Sequence, residues 1–207
     1  MLISHRHKFI YIKSYKTAST SIQVALAKVC GPDDIITRIK PNMPDGYKPR
    51  NDCHYRKGDH LKPEEIRGRI GEEIWASYHK IIAIRNPWEV CTSFYHWAKW
   101  EYDNKVRKRN KPFNYWVQDW NQQFISNSGK VQADTCIRYE NLKQDYEQIC
   151  KLLKITCHLL PSIHKVAPDR VHYSLHFTDE QRDFIAKKCK KMIKFYGYTF
   201  EDKRCEY

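Results

Sequence analysis

Residues 8–21 read Lys8-Phe9-Ile10-Tyr11-Ile12-Lys13-Ser14-Tyr15-Lys16-Thr17-Ala18-Ser19-Thr20-Ser21, and their pattern sets the fold class. The apolar run over 8–13 is strand-sized, and residues 14–18 have no periodicity. Ile22, Ala25, Leu26 and Val29 then recur at i, i+3, i+4 and i+7, one helix face, which Gly31-Pro32 closes. A strand entering a helix through a short polar turn is the first half of an α/β unit. The turn also carries chemistry, because a helix N-terminus leaves backbone N–H groups unsatisfied and attracts anions. Lys16 and the hydroxyls of Thr17, Ser19, Thr20 and Ser21 converge on it. No glycine occurs in 13–21, whereas a Walker-type loop needs G-x-x-x-x-G-K-[ST]. A nucleoside triphosphate kinase of that type is therefore disfavoured. Plain helix capping would use one or two of the hydroxyls, and it leaves Lys16 unexplained.

Working outward, residues 80–85 form a second apolar run, continuous enough to be a central strand buried on both faces. Asn86 and Pro87 open a helix with Val90, Phe94, Trp97 and Ala98 as its inner stripe. Arg85 stands at the carboxyl end of this strand, where open α/β sheets bind ligands. Its planar fork suits a phosphate, and Ser93, two turns on, offers a hydroxyl to the same oxygens. Pairing with Glu89 is the ordinary alternative. A third strand is expected over 133–139, followed by a helix burying Leu142, Tyr146, Ile149, Cys150 and Leu153. Between them, Phe113, Trp116, Val117, Trp120 and Phe124 suggest another helix. Pro63, with Glu64 and Glu65, starts a short helix that Gly68 or Gly71 ends. Thr178-Asp179-Glu180-Gln181 is a capping-box signal for a last helix burying Ile185, Cys189, Met192, Ile193 and Tyr196. Residues 32–62 read as a long irregular connection, a kind of loop that is usually functional. The alternation predicts an α/β fold: a single domain over 1–207 with a central, mainly parallel sheet flanked by helices.

At 207 residues, with 41% hydrophobic and 29% charged side chains, the chain suits one soluble domain. No apolar stretch reaches membrane-spanning length, and no apolar h-region follows the basic residues before Lys8. A soluble, cytoplasmic protein without a membrane span is expected. The formal charge of +13 calls for an anionic partner without choosing among nucleic acid, polysaccharide and nucleotide. The lysines at 187, 188, 190, 191 and 194 are read as the solvated side of the last helix. Eight cysteines lack any C-x-x-C pair, so no structural metal is expected and the thiols are read as mostly free and buried.

Taken together, Lys16-Thr17-Ala18-Ser19-Thr20-Ser21 between a strand and a helix resembles the phosphosulfate loop of sulfotransferases that use 3'-phosphoadenosine 5'-phosphosulfate (PAPS). The closest likeness is to the heparan and chondroitin 2-O-sulfotransferase branch. Arg85-Asn86-Pro87-Trp88 with Ser93 resembles that family's 3'-phosphate site. Arg138-Tyr139-Glu140-Asn141-Leu142 resembles its third strand and turn, and His172-Tyr173 through Tyr196-Gly197-Tyr198 its C-terminal helix and tail. The matches run in the family's order over most of the chain. Without an N-terminal anchor and stem, the chain is closer to the short soluble members of bacteria, viruses or phages. The resemblance implies a P-loop-like sulfotransferase fold and PAPS as co-substrate without a metal. It also implies a hydroxyl acceptor, expected to be a carbohydrate, and no nucleic-acid partner.

In that scheme Lys16 stabilises the bridging oxygen as the 3',5'-bisphosphate leaves, Thr17, Ala18, Ser19, Thr20 and Ser21 hold the donor, and Arg85 and Ser93 hold its 3'-phosphate. A histidine lies at a similar place in family members, between the two anion motifs. His60 is therefore the candidate general base, with His54 as its rival and Asp59 behind both. The basic loops at 48–57 and 105–111 are candidates for the acceptor surface. The competing classes are a basic nucleic-acid-binding protein, drawing on runs such as Tyr95-His96-Trp97-Ala98-Lys99-Trp100, and an inactive nucleotide-binding relative. The helical spacing of those aromatics marks them as core instead.

Overall fold

Short β-branched and aromatic runs pair into strands, and helices cover the faces they leave. The computed structural model describes residues 1–39, 43–53, 60–163 and 171–205. In chain order the elements are β1 (Leu2–Ser4), β2 (Phe9–Ile12), α1 (Ser19–Ala27), β3 (Ile35–Ile36), α2 (Pro63–Ile70), α3 (Glu72–Ser77), β4 (His79–Ile84), α4 (Pro87–Asp103), β5 (Thr135–Arg138), α5 (Leu142–Leu152), α6 (Asp179–Lys188) and α7 (Lys190–Tyr196). The five strands form one sheet in the order β3-β1-β2-β4-β5. β2, β4 and β5 pair in parallel, with Ile12 opposite Ile82 and Ile84 opposite Arg138. β1 runs antiparallel to both its neighbours, so the sheet is mixed, with four strands pointing one way and β1 against them.

The described residues fall into two compact units. The first holds the sheet with α1, α2, α3 and α5. Phe9, Tyr11, Ile81, Ala83 and Ile137 alternate onto one sheet face, against Ile22, Ala25 and Leu26 of α1 and Tyr146, Ile149 and Cys150 of α5. Each Ile, Leu and Phe side chain among these contributes about 1.5–3 kcal/mol by leaving water. Ile10, Ile12, Ile82 and Ile84, on the other face, are also buried. That two-sided burial explains why β4 reads as a continuous apolar run.

The second unit carries α4, α6 and α7 around a core of Trp88, Cys91, Val117, Tyr173, Phe177, Ile185 and Cys189. Trp88 Nε1 donates to the Arg182 carbonyl at 3.0 Å, tying α4 to α6. Gly129, at φ 93°, lies so close to α7 that a Cβ would meet the Lys191 carbonyl oxygen at 2.5 Å, so any side chain there displaces the helix.

Several sequence expectations fail at the level of elements. The helix anticipated over 113–124 is two single 3₁₀ turns, Phe113–Trp116 and Gln122–Phe124. The carbonyls of Asn114, Asp119 and Asn121 accept from residues three positions on, the pattern of a 3₁₀ turn. The aromatics bury against one another instead: Phe94 lies 4.0 Å from Trp120 and 5.9 Å from Trp116 between ring centroids. The last helix is broken at Cys189. β1, β3 and α3 have no signal in the sequence pattern, and β3 falls inside the connection expected to be irregular over 32–62. The cysteines are free, but Cys53, Cys157 and Cys205 are exposed, so burial was overstated.

Candidate functional site

In the first unit the site is built on the turn that leaves β2. Lys13 and Ser14 are buried. Ser14 Oγ donates to the Ala83 carbonyl at 2.5 Å, which fastens the turn to the end of β4. A hydroxyl has one hydrogen, so in the 2.8 Å bond between Ser14 Oγ and Thr17 Oγ1 the donor is Thr17. Lys16 and Ala18 both adopt left-handed backbone, each at φ 57°. For residues with a Cβ this costs about 1–2 kcal/mol apiece, and it brackets the fully buried Thr17. Left-handed residues alternating with others turn successive N–H groups toward one concavity, an anion nest.

α1 then begins on Ala18, whose carbonyl accepts from Ile22 N–H at 3.1 Å. No side chain caps this helix, and no acid stands in its first turn. The capping alternative for the hydroxyls of 17–21 is thus not what forms. Ser19 and Ser21 are buried, and the first-turn N–H groups, which no helix can satisfy internally, add to the same positive end.

The structure brings His60 to this turn. Its Nδ1 lies 3.0 Å from the Lys13 carbonyl oxygen, and its ring stacks on Tyr15 at 4.1 Å with 14° between planes. Nothing in the sequence marks Tyr15 as a stacking partner for a residue 45 positions away in the chain. His54 and Asp59 lie outside the described residues, as do residues 54–57 of the basic loop at 48–57.

Arg85 and Ser93 belong to the second unit. Arg85 directly follows β4 and is 8% exposed. Its Nε and Nη2 donate to Glu89 Oε2 at 2.8 and 2.6 Å, so the ordinary ion pair envisaged from the sequence is formed. Ser93 is buried two turns into α4, whose N-terminus Asn86 caps by accepting from Trp88 N–H at 3.1 Å. Asn86 also donates to the Thr199 carbonyl, so the cap is fixed by the C-terminal segment.

The chain matches no protein-family model and no curated protein. A crystal structure of a sulfotransferase from Alicyclobacillus acidocaldarius is similar over 93% of this chain and 96% of its own, at 13% identity and TM-score 0.39.

Among the described residues, three other histidines are held by contacts within the fold. His5 Nδ1 meets the Tyr78 hydroxyl at 2.9 Å, His7 the Val29 carbonyl, and His79 the Thr135 hydroxyl. In the basic loop Arg107 is paired at 2.7 Å with the buried Glu101 and lies over the Trp116 ring. Lys108 and Arg109 are exposed. Among the described residues no group of three or more His, Cys, Asp or Glu is placed to hold a metal, and no helix is long and apolar enough to cross a membrane.

Proposed function

We propose that this chain is a sulfotransferase that moves the sulfuryl group of PAPS onto a hydroxyl of a carbohydrate. The observation that carries the proposal is the glycine-free turn at 13–18. It spends backbone strain at Lys16 and Ala18 to make an anion nest, leaves α1 uncapped, and holds a histidine against its own carbonyl. Left-handed backbone at an uncapped helix start aims free N–H groups at one point, which suits an oxyanion. The resemblance of 16–21 and 85–93 to the family's two phosphate motifs supplies the identity of the donor, and the carbohydrate acceptor rests on that resemblance alone.

In this reading the nest and the Lys16 ammonium bind the phosphosulfate end and neutralise the leaving phosphate, while Arg85 and Ser93 are assigned to the 3'-phosphate. His60 takes the acceptor's proton on Nε2 as the acceptor oxygen bonds to sulfur and the bridging sulfur–oxygen bond breaks. Positive charge and positioning supply the catalysis, as in phosphoryl transfer, and no step requires a metal. The test is transfer of labelled sulfate from PAPS across a panel of glycans, phenols and peptides, with calorimetric binding of 3',5'-adenosine bisphosphate. Micromolar or tighter bisphosphate binding and a labelled glycan are expected; no binding would overturn the proposal.

A further inference from the structure

We propose that Tyr15 is a positioning residue for His60, acting with the Lys13 carbonyl to hold the imidazole in the tautomer that bears its lone pair on Nε2. The inference rests on the reading of His60 as the base. A carbonyl oxygen can only accept, so the 3.0 Å contact with Lys13 makes Nδ1 the protonated nitrogen. The neutral ring must then carry its basic lone pair on Nε2. A hydrogen bond at Nδ1 sets which nitrogen donates but does not by itself set the ring plane, because rotation about the outer side-chain torsion is broad and soft. The near-parallel Tyr15 ring at 4.1 Å constrains that plane.

Both constraints come from the turn that makes the nest. Lys13 and Tyr15 flank Ser14, which is anchored on the Ala83 carbonyl, and Tyr15 immediately precedes the left-handed Lys16. The backbone that positions the anion site therefore also positions the base. Because the stack uses the ring face, phenylalanine should serve in place of tyrosine and an aliphatic residue should not.

The experiment is nitrogen-15 NMR of the histidine-labelled full chain, above the pH at which histidines are protonated, with steady-state kinetics on the same samples. Wild type should show His60 protonated on Nδ1 and bare on Nε2. Tyr15→Leu should lose that preference and lower kcat by on the order of 10²-fold, with the KM for PAPS unchanged. Tyr15→Phe should keep the tautomer and the turnover. A wild-type His60 protonated on Nε2 overturns the clamp and needs no variant, so a misfolded Leu variant does not shield it. Tyr15→Leu with wild-type tautomer and turnover, beside an inactive His60→Ala, overturns the clamp alone. Full turnover in His60→Ala overturns the base, whereas the wild-type tautomer is measured independently of it.

Discussion

Ala18 begins α1 in a left-handed conformation that alanine rarely adopts, and the strain there is measurable without knowing any substrate. Replacing it by glycine removes about 1–2 kcal/mol of steric cost and adds about 0.5–1 kcal/mol of unfolded-chain entropy. Ala18→Gly should therefore raise stability by roughly 0.5–1 kcal/mol in a denaturant titration, and Ala18→Val should lower it. Equal stability of the three proteins would show that the turn is unstrained. Arg85 gives the second test at this scale. Its contact with Glu89 means that a phosphate must compete for the guanidinium. Arg85→Ala should weaken 3',5'-adenosine bisphosphate binding by about 1.5–3 kcal/mol, while adenosine 5'-phosphosulfate, lacking the 3'-phosphate, should lose little. Glu89→Gln should leave or improve bisphosphate affinity. Lys16, the hydroxyls and His60 were legible as residue types in a spacing. The strain at Ala18 and the Tyr15 stack were not, because neither a backbone torsion nor a ring contact across the chain leaves a mark in local sequence.

At the scale of elements, the first unit is pinned at its edge by one carboxylate. Asp34, 1% exposed, accepts from Ser4 Oγ at 2.7 Å and from the backbone N–H groups of His5, Arg6 and Gly31 at 2.7, 3.1 and 2.8 Å. It thereby joins the β1–β2 turn to the segment between α1 and β3. Burial pushes its pKa up, but the Ser4 hydroxyl and the three backbone donors outweigh that and hold it below the ordinary carboxylate value. A depressed folded pKa means that the stabilisation is complete above the unfolded value of about 4 and is lost as pH falls through the folded value. Asp34→Ala should cost about 1–3 kcal/mol at neutral pH and should lose less stability than wild type below pH ~4, measured by urea unfolding across pH. Parallel acid limbs for the two proteins would remove Asp34 from the edge. These elements also show why parts of the fold were hidden. β2, β4, α1 and α5 have runs long enough for periodicity to register. β1 and β3 have three and two residues, and only long-range pairing makes them strands. The aromatic spacing over 113–124 matches a helix, yet the backbone there closes i+3 bonds in two short 3₁₀ turns.

For the whole molecule, a charge of +13 guarantees attraction to polyanions at low salt, so such binding by itself identifies nothing. What discriminates is which cations matter once the internal ion pairs are known. Arg107 is committed to the buried Glu101 and the Trp116 ring, so its reversal is a stability experiment. Lys108 and Arg109 are exposed, and their reversal is a surface experiment. Arg107→Glu should lower thermal stability by roughly 1–3 kcal/mol, discounted for the guanidinium's partial exposure, because it leaves Glu101 buried beside a like charge. The double variant Lys108→Glu, Arg109→Glu should melt like wild type and bind 3',5'-adenosine bisphosphate like wild type. If the 105–111 loop meets an anionic acceptor, that double variant should raise the acceptor KM several-fold at low ionic strength. The difference should shrink as salt shortens the screening length to about 8 Å near 0.15 M. An acceptor KM unchanged at low salt would place the acceptor elsewhere and leave the two cations as solvated surface. A fall in bisphosphate affinity in the same variant would instead make the loop part of the donor site.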